Sequence, residues 1–177
     1  MNLLEVRKMC EDKMLELGAG SFWYWDVGAF VFAGDETTVS VSGTQYVTSD
    51  RLIARNDIIR IDLSPQNEDT WGDFARTLIV QNGTVVDQEQ VANVEWRAGL
   101  EMEDFLYEEL FRFATPQTTF EELYYHMNRV IEEKGNKSLL GEVKYFTFEP
   151  HISVPGSKFG YKKENIYYFE NENLMEL

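Results

Sequence analysis

The chain has one cysteine, Cys10, in 177 residues, and only two histidines, His126 and His151. A lone cysteine excludes an intramolecular disulfide and fits a reducing compartment, so a cytoplasmic protein is expected. In that setting the sequons Asn82-Gly83-Thr84 and Asn136-Lys137-Ser138 carry no weight. No stretch approaches the roughly 18 apolar residues that a membrane helix needs. Met1 to Lys8 turns charged at once, without the apolar core of a secretory leader. Basic residues are scarce: 16 Lys and Arg face 31 Asp and Glu, giving a net charge of −15 and a pI near 4.5. Such a balance sets aside phosphate backbones and anionic membranes as partners. Composition breaks, low-complexity tracts and linkers are also missing, so residues 1–177 are expected to form a single domain.

What is present suits a packed core, with 44% hydrophobic and 14% aromatic residues. A chain of about 150 residues already buries about 70% of its unfolded surface. Leu3, Val6, Met14 and Leu17 stand among charges at near-helical spacing, and Gly18 follows where a helix stop is expected. Ser21–Trp25, Val27–Phe32 and Thr37–Val41 are short aromatic or β-branched runs between turn residues and read as strands. Asp57–Leu63 and Phe74–Val80 form a second strand pair around a polar loop. From Asp87 to Ala114 the period becomes helical; Thr119 with Glu122 then makes a capping box for a helix reaching Lys134. Lys144–Glu149 and Glu164–Phe169 return to strand. The expected class is α+β.

Four acids sit where a surface would not place them. Asp62 closes Ile58-Ile59-Arg60-Ile61-Asp62, and Asp73 opens Asp73-Phe74-Ala75-Arg76-Thr77. A hairpin centred between Asn67 and Glu68 sets Asp62 opposite Asp73. A second, centred between Gly156 and Ser157, sets Glu149 opposite Glu164. Like charges directly opposite are destabilising, and each raises its neighbour's pKa. A bound cation removes the difficulty, and four carboxylates balance two divalent ions about 3.5–4 Å apart. Pairing with Arg60, Arg76, Lys162 or Lys163, or plain solvation, is the alternative outcome. Oxygen ligands of this kind accept Mn, Co, Fe(II) or Zn.

Arg76 and Thr77 are expected to support Asp73 from behind by charge and hydrogen bonding. His151 falls on the Glu149 side of its strand, where it would bind substrate or stand in for a ligand. His126 reads as a partly exposed helix residue, Cys10 as packing, and Phe22 to Trp25 as a pocket wall or an interface.

The motifs Asn56-Asp57-Ile58-Ile59-Arg60-Ile61-Asp62, Gly72-Asp73-Phe74-Ala75-Arg76-Thr77, Phe146-Thr147-Phe148-Glu149-Pro150 and Lys163-Glu164-Asn165-Ile166-Tyr167-Tyr168 together resemble the pita-bread metallopeptidases. This is the family of creatinase, prolidase, aminopeptidase P and methionine aminopeptidase; the aminopeptidase P-like branch is most similar. The resemblance implies a pseudo-twofold curved antiparallel sheet with helices on its outer face. It implies two divalent metal ions held by Asp62, Asp73, Glu149 and Glu164, with Asp73 and Glu164 bridging. It further implies a metal-bound hydroxide whose proton Glu149 handles, a peptide substrate and a homodimer. The family's Gly-His-x-Ile-Gly ligand segment has no counterpart in residues 132–143, which hold no histidine, as though a segment there were deleted. Two functions are therefore expected to compete: an Xaa-Pro exopeptidase, and a catalytically impaired domain that binds peptides or proteins.

Overall fold

The computed structural model describes residues 1–138, 147–171 and 173–176. The first helix, α1 (Leu3–Glu16), starts at a capping box: the Asn2 side chain accepts from the Glu5 N–H, and Glu5 accepts from the Asn2 N–H. It stops at Gly18, whose φ of +107° is the left-handed conformation that glycine enters without a Cβ penalty. Leu3 and Val6 bury against Ala29, Val31 and Ile59, so α1 covers one face of the sheet behind it.

That sheet has four strands in the order β2-β3-β6-β7. After the two-residue β1 (Ser21–Phe22) come β2 (Ala29–Ala33) and β3 (Asp57–Leu63). A small hairpin, β4 (Pro65–Asn67) and β5 (Thr70–Trp71), leads into β6 (Phe74–Gln81) and β7 (Thr84–Val86). The sheet's other face takes α2 (Val94–Phe113) and α3 (Phe120–Glu133). Ile58 and Ile79 of the sheet pack there with Leu100, Leu106, Met127 and Ile131. Ile58 and Ile59 thus serve opposite helical layers, as strand alternation requires.

The remaining strands are short: β8 (Lys137–Ser138), β9 (Thr147–Phe148), β10 (His151–Ser153), β11 (Tyr161–Lys162), β12 (Asn165–Glu170) and β13 (Asn173–Glu176). They form two three-stranded sheets, β11-β10-β8 and β13-β12-β9. The C-terminal strands join the large sheet through a bridge in which Ala75 and Glu164 exchange both backbone hydrogen bonds, at 3.0 and 3.3 Å.

Three expectations change. Residues 37–41 are not a strand, because Gly34–Thr38 winds into a 3-10 helix with the Thr37 hydroxyl donating to Gly34 O at 2.6 Å. The run Ser21–Trp25 ends at Phe22, where a turn begins with Trp25 and Asp26 both at φ 58°. The second helix starts at Val94 rather than Asp87, because the Asn93 side chain caps it there. Residues 139–143 of the apparent deletion near 132–143 lie outside the described residues, as does the first half of the expected strand Lys144–Glu149.

Candidate metal centre

The ladder between β3 and β6 pairs Asp62 with Ala75. Asp62 therefore does not stand opposite Asp73, as a turn centred one residue earlier would require. The turn lies at Glu68-Asp69, with Glu68 in the left-handed region at φ 53°. A two-residue offset preserves the face, so both acids still point the same way. The C-terminal hairpin keeps the expected register: Phe148 pairs with Asn165 and His151 with Lys162. Glu149 and Glu164 occupy the interval between these two pairings.

The Ala75–Glu164 bridge brings the hairpins together. Carboxylate oxygens of Asp62, Asp73 and Glu164 all lie within 4.8 Å of one another. Glu149 joins them through Lys162, whose Nζ lies 3.0 Å from Glu149 Oε2 and 3.1 Å from Glu164 Oε2 and also pairs with Asp62 Oδ2. Of the two outcomes left open by the sequence, pairing with Lys162 is thus realised in the folded chain.

The electrostatics follow from burial. Glu164 is fully buried, and beyond the ion pair from Lys162 to Oε2 neither carboxylate oxygen meets a well-aligned hydrogen-bond donor among the described residues. Burial, reinforced by Glu149, Asp62 and Asp73, pushes its pKa well above the usual carboxylate range, against the pull of Lys162. Asp73 rises to about 7, first through burial and then through the Asp62 charge. Burial would lower Lys162, yet Asp62, Glu164 and Glu149 hold it above its ordinary value. An oxygen-only donor set with unpaired buried lone pairs fits a hard divalent cation. The residues present therefore fit the metal that such a site implies.

Asp62, Asp73 and Glu149 lie at the wall of a cavity of about 800 Å³, which Trp23, Tyr24, Phe30, Phe32 and Trp71 line on the apolar side. Trp23 leans on Trp71 with ring centroids 5.2 Å apart, and its indole N–H donates to Gly72 O at 2.8 Å. Arg60 shares the Asp62 face and also lines the cavity. Its guanidinium donates to Thr37 O at 3.1 Å and Val39 O at 2.8 Å, with Phe32 stacked 4.2 Å away.

The other expected site residues separate. His151 lines the cavity but is 1% exposed, with Nε2 lying 2.6 Å from Arg60 Nη1 and 2.8 Å from Thr37 O. Burial, then the Arg60 charge, lowers its pKa to about 2, so the imidazole is neutral. Arg76 reaches away from Asp73: it donates to Glu164 O at 2.8 Å and Asn165 Oδ1 at 2.6 Å. Thr77 accepts the Lys162 N–H at 2.8 Å and meets Glu103 Oε1 at 3.0 Å. Both residues anchor the strand that carries Glu164 and Lys162, rather than the Asp73 carboxylate. His126 lies outside the cavity, between Glu109 and Arg129. Lys162 and Arg60, named from sequence as partners of the acids, both reach the site; alternation places each two positions from an acid on the same face.

A helix-flanked antiparallel fold with carboxylates converging from two hairpins defines a pita-bread metallopeptidase domain. The chain belongs to metallopeptidase family M24, whose family model matches residues 1–147. Solved structures agree in fold. An X-Pro aminopeptidase from Thermotoga maritima superposes with a TM-score of 0.77 at 20% identity, covering 99% of this chain and 53% of that one. A prolidase from Pyrococcus horikoshii OT3 gives 0.75 at 20% identity, with the same coverages. A prolidase from Pyrococcus furiosus gives 0.71 at 19%, covering 99% and 55%. The chain thus spans about half the length of the solved structures it matches. No curated protein sequence matches it significantly. Among the described residues, no helix is long and apolar enough to cross a membrane.

Proposed function

We propose that this domain is a divalent-metal-dependent exopeptidase of the Xaa-Pro aminopeptidase and prolidase type, acting on N-terminal peptide bonds in the cytoplasm. The observation that carries the reading is the convergence of Asp62, Asp73 and Glu164, with Glu149 joined through Lys162, beside an aromatic cavity that Asp62, Asp73 and Glu149 line. In this reading the four carboxylates form a site for divalent metal of the Mn, Co, Zn or Fe class, and the protein works as a homodimer. Such ions supply Lewis acidity for the scissile carbonyl and a lowered pKa for water.

The chain's own residues divide the remaining work. Trp23, Tyr24 and Trp71 bind the apolar part of a peptide and exclude water from the acids. Glu149, more exposed than Glu164, moves a proton at its carboxylate oxygen during bond cleavage. His151 is a substrate-binding wall residue held neutral by burial and then by Arg60. The testing experiment adds Mn²⁺, Co²⁺ or Zn²⁺ to the purified chain and assays Xaa-Pro peptides. Glu149→Gln is expected to keep peptide affinity and lose about 10²-fold or more in turnover. Undiminished turnover in that variant would reject the assignment.

A second reading is favoured by one observation: the ammonium of Lys162 already stands among the carboxylates. In that reading the domain binds peptides or proteins without cleaving them. Peptide binding that persists in EDTA, with no hydrolysis under any metal, would select it.

A further inference from the structure

Lys162 is not a surface lysine that has swung inward. Its side chain is 9% exposed, and its three ammonium donors face three carboxylates. Its backbone is fixed from both sides. The N–H donates to Thr77 Oγ1, and the carbonyl lies 3.2 Å from the same hydroxyl. The preceding residue, Tyr161, is fully buried against Gly99, where an added Cβ would stand 2.1 Å from its ring. The root of the side chain is thus held where its head reaches Asp62, Glu149 and Glu164 together.

A lysine so placed satisfies the same oxygens that a cation would, and its withdrawal would leave acids buried and unpaired. Lys162 pairs with Asp62, Glu149 and Glu164, and Asp73 adds a further carboxylate oxygen within 4.8 Å of oxygens of Asp62 and Glu164, one compact group in all. We propose that Lys162 is a built-in cation filling one of the cluster's cation positions, so that the folded chain takes up one divalent ion rather than two and holds its acids together without metal. The proposal rests on the reading of the cluster as a divalent-ion site. It makes Lys162 a positioning residue that governs metal loading.

The test titrates Mn²⁺ into the full chain and into Lys162→Met. Calorimetry and metal analysis give the stoichiometry, and melting temperatures are taken in EDTA and in Mn²⁺. The parent chain is expected to bind near one Mn²⁺, to stay folded in EDTA and to melt moderately higher in Mn²⁺. The variant is expected to bind near two, about tenfold tighter or more, and to melt lower in EDTA and recover in Mn²⁺. A variant that folds only with Mn²⁺ present also supports the proposal. If the variant folds in neither condition, Lys162→Met with Glu149→Gln removes one charge of each sign, and tighter Mn²⁺ binding than in the parent is again expected. Two ions bound equally by parent and variant would overturn the role of Lys162 and leave the metal site standing. Binding by neither protein would overturn both.

Discussion

At the scale of single residues, Asp73 separates metal binding from fold stability. Its pKa near 7 means that its carboxyl holds a proton over much of the neutral range when no metal is bound. Replacing it with a neutral isostere therefore removes little from the metal-free protein. Asp73→Asn is expected to leave the melting temperature in EDTA unchanged or slightly raised, while abolishing most of the rise that Mn²⁺ produces. Calorimetric titration should give at least about a tenfold loss of Mn²⁺ affinity, as for a lost ligand or its support. The four acids were legible in the sequence because carboxylates inside aromatic and β-branched runs have no solvent-facing explanation. The roles of Arg76 and His151 were not legible. Arg76 projects from the opposite face of β6, and the partner of His151 comes from β3, distant in sequence. Alternation gives a side chain's face but not which neighbour reaches it first.

At the scale of elements, the clarity of each turn decided how well a hairpin could be read. The C-terminal pair turns through Pro155-Gly156-Ser157, and its register agrees with the expected one. The first pair turns at Glu68-Asp69, where no glycine marks the left-handed position, and its register lies two residues away. Helices were legible through their caps: Thr119 with Glu122 begins α3 as expected. What composition could not convey is the close approach of α2 to β11. Gly99 lets the helix backbone lie directly on the Tyr161 ring. A methyl group there has nowhere to go, because Tyr161 is fully buried and its hydroxyl donates to Glu95 O at 3.1 Å. Gly99→Ala is expected to cost about 1–3 kcal/mol despite alanine's better helix propensity, as overpacking does. Denaturant unfolding measures that loss.

At the scale of the whole molecule, burial of acids ties stability to pH in an unusual direction. Glu103 is buried behind the site, where it accepts from the Thr77 hydroxyl, and burial raises its pKa to about 8. Between its ordinary value near 4.5 and about 8, the folded chain keeps a proton that the unfolded chain has lost. Stability from this group is fully present below about 4.5 and is lost as the pH rises through 8. Asp73 and Glu164 act in the same sense, since their pKa values are also raised. The metal-free protein is therefore expected to melt at progressively lower temperature from pH 5 to pH 8. Glu103→Gln should flatten part of that slope. A melting temperature that climbs over this interval would contradict the assigned protonation of these acids. The Ala75–Glu164 bridge also has a consequence for the order of assembly. Arg76 and the Glu164 carbonyl that it grips are 88 residues apart, so this contact closes one of the longest loops in the chain. Non-local closures of this kind slow folding, because chain entropy is spent before any contact repays it. During synthesis the large sheet can form with Asp62 and Asp73 still open to water. Their burial, and with it the site, waits for β11 and β12 to leave the ribosome.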